Sequence, residues 1–135
     1  LYNSGGHRKI TPDEYETIKK YLQKFPESMH IRAAFIIASE AIYSPSAEYK
    51  RVPDKIINKA KQWSEQYPKK IEFQEAYFGL LFSRLKYAQA QDMRNEQRRV
   101  YREMKTVAER ANYSEYNESN QLMESVDILH RVFGY

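Results

Sequence analysis

Cysteine is absent from this 135-residue chain, which rules out disulfides, thiolate metal sites and cysteine nucleophiles together. Glycine and proline are scarce, four and five residues, and nearly all of them fall at segment ends. The long stretches without either residue favour helices over short strands. Long apolar runs are missing too. The longest uncharged one, from Ala33 to Ala38, is far short of the ~20 residues that a membrane span needs. Histidine is limited to His7, His30 and His130, in three separate segments and without a metal-ligand partner at i+3 or i+4. Gly-rich phosphate loops, the His-Glu-x-x-His motif and calcium loops do not occur. The residues therefore point to no catalytic group, no cofactor and no metal.

What the chain does have is a repeat. Phe25-Pro26 and Tyr67-Pro68 lie 42 residues apart, and Tyr21 upstream of the first pair answers Trp63 upstream of the second. Downstream, the apolar stretch Ile31–Ile36 is answered by Phe73–Phe78. A fixed period of roughly 20–50 residues marks stacked units that cannot bury an apolar face alone.

Six helices follow from the apolar spacing. Thr11-Pro12-Asp13-Glu14 carries a capping residue, a proline where its missing N–H costs nothing, and the glutamate of a capping box. The stripe Tyr15, Ile18, Leu22, Phe25 continues from there to Pro26. A second, more apolar helix runs from about Ser28 to Tyr43, stopped by Ser44-Pro45-Ser46. Pro53 opens a third with Ile56, Ile57, Ala60, Trp63 and Tyr67 on one face, and a strongly apolar fourth spans about Lys70 to Ala90. Only the period and the polar stretch after Gln89 argue for a break near Gln91-Asp92, with Asp92 as N-cap of the fifth helix. That helix carries Met93, Val100, Met104, Val107 and Ala111. Asn112 and Ser114 are expected to end it and cap the sixth, which stops at Gly134. Residues 1–10, with Gly5-Gly6, read as linker, and residues 11–135 as a single domain within a longer protein.

Phe78-Gly79-Leu80-Leu81-Phe82 resembles the Leu-Gly-x-x-Tyr core of tetratricopeptide-like repeats, and Ile56, Ala60, Trp63 and Pro68 follow the spacing of that family's second helix and closing proline. The likeness spans roughly Thr11 to Phe133. It departs from the pattern in a period longer than the usual ~34 residues, in Ile37 standing where Gly79 stands one repeat later, and in the missing opening tryptophan. Two-helix HEAT-type repeats have a similar period. The resemblance implies an all-α, right-handed array of about three antiparallel hairpins, a curved scaffold that binds proteins or peptides without catalysis inside the cell. The expected concave face is formed by the second and fourth helices, with Gly79 allowing a close approach.

Charge adds candidates for binding. Residues 45–70 hold seven Lys or Arg against three Asp or Glu, whereas residues 112–135 hold one against four. Arg94, Arg98 and Arg102 form a row at i,i+4 that Lys105 extends; Lys55, Lys59 and Lys61 continue it if the outer helices are neighbours. Its plain reading is a solvated helix face, and its sharper reading is a stripe for an acidic peptide or a phosphate backbone. Nucleic-acid contact through these basic helices, or self-association, are the alternatives to protein binding. Arg84, a cation amid an apolar helix, requires an anionic partner, either Glu40 or Glu75 or a ligand carboxylate. Lys69 and Lys70 supply charge at the edge of the same face. Trp63 is expected to pack near Phe73 and Tyr77. Most of the twelve tyrosines fall on apolar stripes, where core packing explains them. Asn112-Tyr113-Ser114 and Asn117-Glu118-Ser119 match the glycosylation triplet, as chance allows in an Asn- and Ser-rich chain.

Overall fold

Thr11 starts the first helix as its chemistry dictates. Its hydroxyl accepts the Glu14 N–H at 3.1 Å, while the Glu14 carboxylate accepts the Thr11 N–H. In the computed structural model, which describes residues 9–43, 50–114 and 120–135, six helices follow: α1 (Pro12–Lys24), α2 (Met29–Tyr43), α3 (Asp54–Gln66), α4 (Ile71–Ala90), α5 (Arg94–Ala111) and α6 (Gln121–Phe133). The described residues contain no strand, so the chain is all-α. Ser44-Pro45-Ser46, the triplet at Asn117 and most of the N-terminal linker lie outside the described residues.

The aromatic-proline pairs build the same turn twice. Phe25 and Tyr67 are the C-caps of α1 and α3, with φ/ψ of −128/66° and −119/62°. Each donates its N–H to the carbonyl four residues back at 2.8 Å, and each accepts an N–H from three residues on. A proline next in line cannot continue the helix, so the chain reverses. The side chain seven residues after each cap then secures the turn. Arg32 Nε donates to the Pro26 carbonyl at 2.8 Å, and the buried Gln74 Nε2 donates to the Ser64 and Tyr67 carbonyls at 3.0 Å each.

The break near Gln91-Asp92 is present, but Asp92 does not cap α5. It adopts the left-handed conformation (φ 54°) that ends α4, while Asp92 N–H reaches the Gln89 carbonyl and Met93 N–H the Ala88 carbonyl. That double return is a Schellman ending with aspartate in the usual glycine place, which a short polar side chain tolerates. Met93 is the N-cap of α5 and stays exposed. The cap of α6 is likewise Asn120 rather than Asn112 or Ser114. Its amide oxygen accepts the Met123 N–H, and its Nδ2 ties back to the Ala108 carbonyl and Asn112 Oδ1. Gly134, at φ 70°, ends α6 as expected.

α4 packs against α2, α3 and α5, whereas α1 leans mainly on α2, and α6 on α5. Every residue of α4 from Ala76 to Leu85 is buried as a result. Trp63 is buried, but not where expected. It meets Phe35 of α2 edge-on at 6.3 Å, and Phe73 stacks instead on Tyr67 at 4.7 Å. α3 touches both inner helices, and residues four apart on it lie some 40° apart around the axis, which is enough to aim one ring at α2 and the other at α4. Phe25 and Tyr21 remain 46% and 53% exposed, because α1 has no further outer helix covering it among the described elements.

A close approach joins α2 to α4 at Gly79. The side chain of Glu40 is fully buried over Gly79, where an added Cβ would lie 2.6 Å from Glu40 Cγ and 2.8 Å from its carboxyl carbon. Burial, aided by Glu75, pushes the Glu40 carboxyl up to about 8. Gly79→Ala is therefore expected to destabilise the wild-type chain, since overpacking costs ~1–3 kcal/mol and exceeds the ~0.5–1 kcal/mol that alanine gains over glycine in a helix. In a Glu40→Ala background its sign should reverse, measured by urea denaturation. Between the ordinary carboxyl range and about pH 8 the unfolded chain releases the Glu40 proton before the folded chain does. Stability should fall as pH rises through that window, and Glu40→Gln should flatten the slope.

Candidate functional site

Outer helices α1, α3 and α5 leave two grooves between them, each floored by an inner helix. Between α1 and α3, over α2, lies a cavity of about 630 Å³, and between α3 and α5, over α4, one of about 430 Å³. The repeat is visible in their linings. Tyr15, Lys19 and Phe35 line the first, and the residues 42 positions on, Ile57, Lys61 and Tyr77, line the second.

In the α1/α3 groove an aromatic layer lies under a layer of cations. Tyr15 stacks on Phe35 with centroids 5.8 Å apart, and Trp63 meets Phe35 from the other side. The Tyr15 hydroxyl donates to Ser39 Oγ at 2.6 Å, Ser39 in turn donates to the Phe35 carbonyl, and burial pushes the phenol's pKa up. Lys19 Nζ sits 4.6 Å from the Tyr15 centroid, Lys59 Nζ 5.4 Å from that of Phe35, and the Arg32 guanidinium 5.2 Å from the Trp63 ring. Cations over ring faces are attracted by the ring quadrupole. Lys55 is the fourth cation of the lining, and no Asp or Glu is among the described residues that form it. Partial burial, and then the charge of Lys55, hold the Lys59 ammonium below the usual lysine range.

The α3/α5 groove meets its charges internally. Arg84 is 7% exposed and donates to the Val52 carbonyl from Nε at 3.1 Å and from Nη2 at 2.8 Å. Nη2 also bonds Asp54 Oδ1, to which Arg51 adds a second ion pair at 3.1 Å. The bond from Arg84, then its charge and that of Arg51, draw the Asp54 carboxyl below the usual range. The anionic partner of Arg84 is thus Asp54, not Glu40 or Glu75, and no ligand carboxylate is needed to balance it. Glu103 accepts the Tyr77 hydroxyl at 2.9 Å, and burial together with that carboxylate raises the phenol's pKa.

The structure does not bring the sequence candidates together at one place. Arg94, Arg98, Arg102 and Lys105 are exposed along α5, and among the described residues only Arg94 is near a carboxylate, Asp92 at 3.9 Å. Lys69 is exposed in the α3–α4 turn, and Lys70 is the N-cap of α4. Lys55 and Lys59 line the α1/α3 groove and Lys61 the other, so the three do not form one patch with the α5 row. The face expected from α2 and α4 is buried along α4 from Ala76 to Leu85, whereas the two grooves between the outer helices are open cavities. Sequence reasoning missed Lys19, Arg32 and the Tyr15–Phe35–Trp63 layer as a site. The available signal was the i,i+4 pair Tyr15/Lys19 together with the i,i+4 pair Lys55/Lys59. Among the described residues no cluster of His, Cys, Asp or Glu can hold a metal ion, and no helix is long and apolar enough to cross a membrane.

Arg84→Gln should leave the buried Val52 carbonyl without its donor and destabilise the chain by ~1–3 kcal/mol, while Asp54→Asn, at an exposed carboxylate, should cost less. Thermal and urea unfolding of the two variants check this order. No family model matches the chain, and neither a curated protein nor a solved structure does, so the chemistry of the grooves carries the functional reading.

Proposed function

We propose that this chain is a non-catalytic protein-interaction module, a tetratricopeptide-like array of helical hairpins that receives a segment of a protein partner in the groove between α1 and α3. One observation carries the reading. That groove is open, is layered with aromatic rings, and is lined by four cations with no carboxylate among its described residues. Groove-binding helical repeats present stacked, similar concavities, and the 42-residue correspondence between the two groove linings supports such an arrangement. The tetratricopeptide-like turn geometry has the same kind of support in the matching Phe25 and Tyr67 caps. The place of action goes with the reading: an intracellular scaffold.

A second reading rests on the exposed row Arg94, Arg98 and Arg102, of which Arg98 and Arg102 hold no ion pair among the described residues. It makes the outer face of α5 a contact for a phosphate backbone, whose binding weakens log-linearly with salt.

Site-specific photo-crosslinking separates the two. A photoreactive residue in place of Gln62, on the groove wall, should yield adducts in cell lysate that protease removes and nuclease leaves intact. The same residue in place of Arg98 should yield few. Nuclease-sensitive adducts confined to the Arg98 position would overturn the protein-binding reading in favour of the second.

A further inference from the structure

The two grooves differ in one respect that identifies what the first is built to receive. In the α3/α5 groove, three of the four lining cations pair with carboxylates of the fold, Arg84 and Arg51 with Asp54 and Arg99 with Glu96. Lys61 holds no ion pair among the described residues, and Glu103 takes the Tyr77 hydroxyl at the position equivalent to Phe35. The α1/α3 groove has the same walls without those acids. Among the described residues, Lys19 alone of its cations has a carboxylate, the exposed Glu16 at 3.0 Å on its own helix. Lys55 and Lys59 hold no ion pair among the described residues. Arg32 spends Nε and Nη1 on the neutral acceptors Pro26 O, Gln66 Oε1 and Tyr67 Oη, and its Nη2 makes no hydrogen bond there. Crowding cations together in one groove without anions is costly, and an anionic occupant relieves that cost.

The rings decide between kinds of anion. A nucleic-acid strand on an aromatic platform needs exposed ring faces on which bases stack. Here Tyr15, Phe35 and Trp63 are each no more than 5% exposed, Tyr15 and Phe35 cover one another, and cations lie over the rings of all three. What remains open is apolar edge and wall beneath a cationic rim. That surface suits a carboxylate-bearing peptide with an apolar anchor.

We infer that the α1/α3 groove binds an acidic peptide segment, its carboxylates against Lys55, Lys59 and Arg32 and an apolar side chain against the lining residues Leu22, Pro53 and Ile56. This deepens the protein-interaction reading and rests on it. Trp63 is the only tryptophan and lies in the groove under Arg32, so its emission reports occupancy directly.

The test titrates the whole chain with three pools of random dodecapeptides, enriched in Asp and Glu, uncharged, or enriched in Lys and Arg, and with a mixed-sequence single-stranded RNA. The acidic pool alone should shift Trp63 emission. Lys55→Glu with Lys59→Glu should weaken that binding by about tenfold or more, as expected when rim charges are reversed, and should admit the basic pool. Circular dichroism verifies that the variant keeps its helices. If the uncharged pool binds as well as the acidic one and the charge reversal changes nothing, the acidic assignment fails while the groove stands. If no pool moves Trp63, the groove reading itself fails. An RNA-dependent shift that falls steeply with salt would replace both with nucleic-acid binding.

Discussion

Glu40 of α2 and residue 79 of α4 occupy almost the same place, which is possible only because residue 79 has no side chain. The whole arrangement depends on that contact. It lets α2 close against α4, so that α4 is packed by α2, α3 and α5 and its apolar residues share a common core. Bringing a carboxyl group into that seam is costly, and the raised pKa of Glu40 expresses the cost: the folded chain keeps the proton up to about pH 8. With α4 enclosed, the cavities between α1, α3 and α5 lie at the outside of the helical array, where the proposed partner segment would sit.

The second determinant is the use of polar side chains at the turns. Gln74 is fully buried, yet its amide is consumed by carbonyls at the end of α3, and Ser64 beside it receives Arg110 of α5 at 2.6 Å. Ser114 donates to the Pro68 carbonyl at 2.9 Å. These bonds supply partners for carbonyls that a helix end leaves over, and they fix one hairpin against the next. The two outer walls of the α3/α5 groove are thereby tied to each other and to its floor.

Much of this was legible in the sequence because it is local. The Thr11 capping box, the aromatic-proline turns, the break after Ala90 and the Gly134 stop all depend on residues within a turn of one another. What the sequence hid is set by tertiary contact. Asp54, thirty residues before Arg84, reaches it only because the start of α3 lies over α4. Asp92 resembled an N-cap because polar residues serve both helix ends, and only the Met93-to-Ala88 return reveals the left-handed ending. The basic residues of α3 were grouped too broadly, and helix geometry could have divided them. Lys55 and Lys59 share a face, whereas Lys61 lies about 200° around from Lys59 and serves the other groove. Charge counted along a segment does not show which face each cation occupies, and it is the face that gathers Lys55 and Lys59 into one groove.

The central claim is that α4 is sealed within the molecule and that recognition is therefore left to the outer grooves. Native-state hydrogen exchange tests it most directly. Amides from Ala76 to Leu85 should be the slowest in the chain and exchange only through global unfolding, while those of α1 and α6, each packed mainly on one neighbour, open at lower free energy. If α4 amides exchanged as fast as those of α6, the inner helix would be open to solvent, and a concave face built on α2 and α4 would displace the groove between α1 and α3 as the binding surface.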